Sequence, residues 1–346
     1  MNLFRRPSFL PVAALSIMVS LALMLSSCSD SPAKNDESAA ILKQPPFAVL
    51  TDSIREAKSA SSEAARLYFK RAEQLSQNNL HELALADYRK SWELQPAEST
   101  GLQYASTLSI LGQTDAAIRL LQKCREQFPS NANFSNLLGD IYLQSGRSKE
   151  ALGLYDSMLK RDSLDFEAWY EKALIQERMS DTPDAILSLQ HAVSLQPVNT
   201  YTLELAHMYA ETNNALALSL CDEVLRKDSI HELTDPLFIK GIYYSNTAQY
   251  KKAIVQFDSC IHRDWKFTDA YLEKGIAQFK QKNYQDALKT FQMTINVSNT
   301  YADGYYWVGR CYEMMGNKEQ ALLYYQQAVG LDKNFTEAKE AIQRLK

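Results

Sequence analysis

The feature that most constrains this chain is a spacing. Eight alanines, Ala84, Ala117, Ala151, Ala185, Ala217, Ala253, Ala287 and Ala321, follow one another at intervals of 32 to 36 residues. Each is followed four residues later by a larger side chain: Tyr88, Leu121, Tyr155, Leu189, Cys221, Phe257, Phe291 and Tyr325. A second small residue lies 12 positions before seven of the alanines, at Ala72, Ala105, Gly139, Ala173, Gly241, Gly275 and Gly309, and 11 before the fifth, at Ala206. A four-residue step places two side chains on one face of a helix. The small one lets a neighbouring helix come close, and the large one fills the space beside it. Asn79, Gly112, Gly146, Asn213 and Gly316 fall between the two helices of a copy, where a tight turn needs backbone angles that Gly and Asn accept. Pro96, Pro129 and Pro197 close three copies. Each copy predicts a helical hairpin with an apolar side it cannot cover alone, and consecutive copies predict a stack. Only 11 Gly and 10 Pro occur among 346 residues, which suits a helical chain because each weakens a helix interior, by about 1 and 3 kcal/mol.

These residues resemble the tetratricopeptide repeat. The copies that carry the resemblance best are Leu138-Gly139 with Tyr142, Ala151 and Tyr155; Trp169 with Ala173, Ala185 and Pro197; and Tyr305 with Gly309, Tyr312, Ala321 and Tyr325. The resemblance implies an all-α fold, a right-handed α-solenoid of about eight helix-turn-helix hairpins over residues 63–335. The fifth copy departs most, with a turn one residue shorter and Cys221 in an aromatic position, and a local irregularity is expected there. Residues 336–346 predict one further helix, with Ala338, Ala341, Ile342 and Leu345 along one side, that covers the exposed end of the stack. Residues 47–62, with Phe47, Val49, Leu50 and Ile54, are expected to cap the other end.

The N-terminus is a separate physical object. Arg5 and Arg6 are the only charges before Cys28, and an apolar run from Val12 to Leu25 follows them. Such a run reaches about 21 Å as a helix, short of the roughly 30 Å hydrocarbon core of a bilayer. Residues 1–27 therefore read as a secretory signal. Leu25-Ser26-Ser27-Cys28 resembles the lipobox of bacterial lipoproteins. That resemblance implies cleavage before Cys28 and acylation (palmitate among the chains) of its sulfur and its new amine. Several chains at about 0.8 kcal/mol per buried methylene make a lasting anchor. Ser29 beside the cysteine implies transport to the outer membrane, facing the periplasm, with exposure at the cell surface left open. Residues 28–46 are polar, contain Pro32, Pro45 and Pro46, and read as a flexible tether.

The chain carries 37 basic and 41 acidic side chains, a formal net charge of -4, so no nucleic-acid partner is expected. Cys124, Cys221, Cys260 and Cys311 are far apart in sequence. They read as small core residues, with a disulfide as the alternative in an exported protein. His81, His191, His207, His231 and His262 form no metal-binding or catalytic motif, and only His207 falls on an expected groove position. No enzyme activity, cofactor or metal is expected. Ser53, Ser157, Ser163 and Ser229 stand in Asp-Ser-aliphatic tripeptides that resemble a bacterial O-glycosylation sequon or, at Ser163 and Ser229, ordinary turns.

In tetratricopeptide solenoids the first helix of each unit lines a concave groove. The resemblance implies one groove row at Phe69, Leu102, Asn136, Tyr170, Leu203, Phe238, Leu272 and Tyr306, and a second at Glu73, Ser106, Asp140, Leu174, His207, Ile242, Ile276 and Arg310. Phe238, Ile242, Leu272, Ile276, Phe279 and Tyr306 are expected to form a solvent-exposed apolar cluster for a partner protein or peptide. Asp235, Asp269 and Asp303 read either as helix-start residues favoured by the dipole or as an acidic rim that selects basic residues. The function expected is a membrane-anchored, non-catalytic adaptor in the bacterial cell envelope. Two alternatives stand beside it: a glycan- or small-ligand-binding lipoprotein in which Tyr170, Phe238 and Tyr306 stack on sugars, and a structural homo-oligomer joined through the ends of the stack.

Overall fold

A computed structural model describes residues 40–59 and 61–346. The signal segment, Cys28 and most of the expected tether lie outside the described residues. All regular structure among the described residues is helical, and no strand occurs there. The chain is an all-α helical-repeat solenoid built from the hairpins that the spacing implies, and it divides into two compact units between Ser163 and Leu164.

The N-terminal unit holds α1 (Ala48–Glu56) and three hairpins: α2 (Ser62–Gln77) with α3 (His81–Leu94), α4 (Glu98–Ile110) with α5 (Thr114–Gln127), and α6 (Asn133–Gln144) with α7 (Ser148–Arg161). Second helices pack on the next first helix, α3 on α4 and α5 on α6. α1 lies on α2. Phe47 is buried with Ala72, Leu75, Ala84 and Tyr88, and Ile41 and Leu42, expected within the tether, pack against the same cluster. Val49, expected to help cap this end, is 75% exposed. A buried ion pair ties the end together. Arg71 donates through Nε and Nη2 to the Asp87 carboxylate at 2.6 and 2.7 Å, and through Nη1 to Thr51 Oγ1 at 3.0 Å. One guanidinium thus joins α1, α2 and α3.

The C-terminal unit holds five hairpins: α8 (Phe166–Arg178) with α9 (Thr182–Leu195), α10 (Asn199–Glu211) with α11 (Leu216–Lys227), α12 (Asp235–Asn246) with α13 (Tyr250–Arg263), α14 (Thr268–Lys280) with α15 (Tyr284–Val297), and α16 (Ala302–Met314) with α17 (Lys318–Leu331). α18 (Thr336–Leu345) follows. It buries Ala338 and Ala341 beside Tyr325 and Ala328, and Arg344 grips Glu313 of α16 at 2.8 Å. The fifth hairpin does not interrupt the unit, because one buried cluster runs from Ala173 through Ala217 and Cys221 to Ala277. Its irregularity appears in the loop after α11 instead. There the Asp228 carboxylate accepts from the backbone N–H groups of Glu232 and Leu233 and from Arg263.

Both units use the same two devices. A Cβ built on Gly275 would stand 2.5 Å from the Phe291 ring, and one on Gly309 2.8 Å from the Tyr325 ring. The small position is small because the large partner of its own hairpin lies flat against its backbone. Each hairpin also turns through one residue at positive φ: Asn79, Gly112, Gly146, Ser180, Asn213, Ala248, Lys282 and Gly316. The next N–H returns to a carbonyl five residues back, as in Gln113 to Leu108 and Gln249 to Tyr244, which satisfies the open end of the first helix. Ser180, Ala248 and Lys282 carry no sequence signal for this role.

Candidate interaction surface

Within the C-terminal unit successive first helices also touch each other, α10 with α12, α12 with α14 and α14 with α16. That approach decides which groove positions face solvent. Phe238 is 1% exposed, Ile276 2% and Ile242 7%, so the expected solvent-exposed placement fails for these three. Phe238 packs on Phe257 and on Phe267, its ring 5.0 Å from the latter. Ile276 joins Phe291 and Val308. Side chains in the crease between neighbouring first helices are sealed by the next helix or by the loop leading into it.

Tyr170, Leu272, Phe279 and Tyr306 are half-buried and keep an outward edge. Tyr170 meets Tyr201 with ring centroids 4.5 Å apart. Phe279 meets Trp307 at 5.3 Å. Arg310, the only basic residue in the expected rows, stands over Phe279, Tyr306 and Trp307 at 5.5 to 5.9 Å and donates to the Tyr306 hydroxyl. Tyr201 and Trp307 were not among the expected groove residues. Each lies within one turn of a row position, a weak signal for groove exposure.

Asp235, Asp269 and Asp303 are half-buried in the first turns of α12, α14 and α16. Asp269 accepts a hydrogen bond from the Tyr301 hydroxyl at 2.6 Å, and burial raises the Asp235 carboxyl above its usual range. Burial also raises Glu204 to about 7, helped by Glu177. Glu273 rises to about 7 by burial, against the pull of Lys280 and with the repulsion of Glu211 and Asp269. Burial pushes Tyr170 up to about 12, with Glu204, Glu171, Tyr201 and Glu177 adding to it. Tyr201 is raised by burial and by Glu167, Glu171 and Asp165. Tyr301 is raised by burial and by its bond to Asp269, with Asp303 and Glu273 contributing. The face therefore combines phenol rings with many carboxylates.

The four cysteines are buried and unbonded, and burial lifts the thiols to about 11 at Cys124 and about 12 at the other three, which leaves them unreactive. Among the described residues no group of three or more His, Cys, Asp or Glu side chains is placed to hold a metal ion, and no helix is long and apolar enough to cross a membrane. The Asp-Ser-aliphatic tripeptides separate. Ser53 and Ser157 lie within α1 and α7 and donate to backbone carbonyls of their own helices, whereas Ser163 and Ser229 are exposed in loops between hairpins.

Models described as tetratricopeptide repeat match residues 110–175, 269–297 and 302–335. With the hairpins described above, these matches support a protein of the tetratricopeptide repeat family. No curated protein matches the chain. Among solved structures, PilW, titled a widely conserved type IV pilus biogenesis factor, is similar at 18% identity and a TM-score of 0.53, over 62% of this chain and 97% of that one. A tetratricopeptide repeat protein from Parabacteroides merdae aligns at 13% identity and a TM-score of 0.49, over 81% of this chain and 98% of that one. A chain of the APC/C hetero-tetramer Cut9-Hcn1 aligns at 17% identity and a TM-score of 0.49 over 88% of this chain, which spans 60% of that chain's length. At 18% identity the likeness to PilW shows the fold alone.

Proposed function

We propose that this protein is a non-catalytic scaffold of the bacterial cell envelope that holds partner proteins or peptide segments on the first-helix face of its C-terminal unit. Lipid on Cys28 anchors it, on the periplasmic side of the outer membrane, with the cell surface as the alternative. One observation carries the binding part: Tyr170 on α8, Leu272 and Phe279 on α14 and Tyr306 on α16 pack against the core on one side and leave a half-buried apolar edge on the other, the kind of surface that marks an interaction site. The anchor rests on Leu25-Ser26-Ser27-Cys28 behind a short apolar run. Sugar stacking is the weaker reading, because Phe238 of the three expected platforms is sealed in the core.

The two parts are tested separately. Cells fed an alkyne palmitate analogue should label the protein, and Cys28→Ala should abolish both label and membrane recovery; undiminished membrane recovery removes the lipid anchor. Cross-linking in cells should join the parent to an envelope protein, and Leu272→Asp with Tyr306→Ala should lose that product while the helical circular dichroism persists. Retention of the product in the double variant removes the first-helix face as the docking site.

A further inference from the structure

The first helices of the C-terminal unit carry an acidic register that the repeat itself does not require. Two positions on each helix, three before and one after the groove row, are four residues apart and share a face. On α8 they are Glu167 and Glu171, on α10 Thr200 and Glu204, on α12 Asp235 and Ile239, on α14 Asp269 and Glu273, and on α16 Asp303 and Trp307. Seven of these ten residues are acidic and none is basic. The same positions in the N-terminal unit hold Arg66, Lys70, Ser99, Gln103, Asn133 and Leu137, with no acid at all.

The helix dipole accounts for only part of this register. It favours acids in the first turn and fades beyond it. Asp235, Asp269 and Asp303 lie in that turn. Glu171, Glu204 and Glu273 are each the sixth residue of their helices. Glu204 and Glu273 are half-buried, and among the described residues neither forms a hydrogen bond or a close ion pair, with Lys280 the cation that acts on Glu273. Partial burial without a close counter-charge disfavours the ionised form, and the proton affinity of both groups is raised accordingly. Elsewhere in the unit carboxylates are matched: Asp222 with Lys240 at 2.6 Å, Asp258 with Lys274 at 2.6 Å, and Glu313 with Arg344 at 2.8 Å. The charges of the unmatched ones act on phenols of the same face. Tyr170 neighbours Glu204, and Tyr301 neighbours Glu273 with Asp269 and Asp303.

We propose that this face takes a basic, partly apolar peptide segment of a partner protein, its lysine or arginine side chains entering the places where Glu204 and Glu273 lie unpaired beside Tyr170 and Tyr301. The inference rests on the scaffold reading and gives it a ligand chemistry. Cationic side chains complete the missing ion pairs and lie against ring faces that attract them, while Leu272 and Tyr306 receive the apolar part. The first helices α10, α12 and α14 touch in succession, so at the usual 8–10 Å packing distance the helices of Glu204 and Glu273 lie roughly 16–20 Å apart, the reach of about six extended residues. A single metal ion does not fit acids spread in this way.

The test is fluorescence anisotropy on the full chain with a labelled peptide of three Lys-Ser-Lys-Leu units, beside the same peptide with Gln for every Lys. The lysine peptide should bind with one-to-one saturation, about tenfold or more tighter than the glutamine peptide, and Glu204→Gln with Glu273→Gln should weaken it about tenfold. Affinity should rise from pH 6 to pH 8, as Glu204 and Glu273 ionise with Lys280, Glu177, Glu211 and Asp269 facing them. The near-isosteric change removes an unpaired charge, so a melting curve at or above the parent's separates lost binding from lost fold. Glu93→Gln with Glu126→Gln, both exposed in the N-terminal unit, should leave binding unchanged. Equal affinity for the two peptides, an unaffected Glu204/Glu273 variant, or an equal loss in the Glu93/Glu126 control each overturns the proposal. A cross-linked envelope partner that survives Glu204→Gln with Glu273→Gln but not Leu272→Asp with Tyr306→Ala sinks the basic-segment inference and leaves the scaffold standing.

Discussion

In the three-hairpin unit that ends at Ser163, the carboxylate most deeply placed between helices, Asp87, is gripped bidentately by Arg71. In the five-hairpin unit that begins at Leu164, Glu204 and Glu273 are half-buried without such a grip. The backbone plan is common to both: the same small-against-large contact inside each hairpin and the same left-handed residue in each turn. Shared contacts of this kind hold the stack together. A charge that contributes to holding it is paired within the chain, and a charge left unpaired at a repeated position on one face is available to something outside it. The two units thus differ in what they present rather than in how they stand.

The contrast can be broken or sharpened in four ways. The largest effect belongs to Arg71→Leu, which strands the Asp87 carboxylate and should cost about 3–5 kcal/mol in denaturant unfolding; the double variant with Asp87→Leu should regain most of it. A neutral Arg71→Leu would show that the pair is no more structural than the open carboxylates. Next, Gly139→Val and Gly275→Val press a branched side chain into Tyr155 and Phe291 and should each cost toward the upper end of roughly 1–3 kcal/mol. A loss in one unit only would end the claim of a shared plan.

A smaller effect follows from pH. Glu204 and Glu273 are raised to about 7 from an ordinary value of 4.5, so the folded chain holds their protons more tightly than the unfolded chain between those values. The stability tied to those protons is present below that interval and lost as pH rises through about 7. Glu204→Gln with Glu273→Gln removes the loss. Its melting temperature should exceed the parent's at pH 8 and coincide with it near pH 4; a difference of equal size at both values would count against the burial of these carboxylates. Smallest is Ala248→Gly. Ala248 sits at φ 60° in the α12–α13 turn, a conformation that costs a residue with a Cβ about 1–2 kcal/mol. Allowing for the greater freedom of unfolded glycine, a gain of about 0.5–1 kcal/mol is expected, against a loss for Gly112→Ala in the N-terminal unit, where φ is 71°.

Much of the fold was legible because its two devices are written in residue types. Gly275 and Phe291, or Gly309 and Tyr325, announce a close contact by size alone, and Gly112, Gly146 and Gly316 announce a turn by the one conformation they make easy. Ser180, Ala248 and Lys282 adopt that conformation without announcing it, since the closing hydrogen bonds of the turn impose it. The candidate surface was legible in part. Tyr170, Leu272, Phe279 and Tyr306 keep an outward edge, but Phe238, Ile242 and Ile276 lie at equivalent positions and are sealed. Periodicity names the face of a helix; it does not say how near the next helix stands.

By itself the sequence determined the repeat, the register of small against large, and the helices, because these depend on spacings of 4, 12 and about 34 residues along one chain. Tertiary structure alone decided that the stack divides after Ser163, that Phe267 covers Phe238, and that Glu204 and Glu273 end half-buried with raised proton affinity. The physical reason is range: a hairpin's contacts are local in sequence, whereas hydration and ion pairing at a given atom depend on every helix that comes near it.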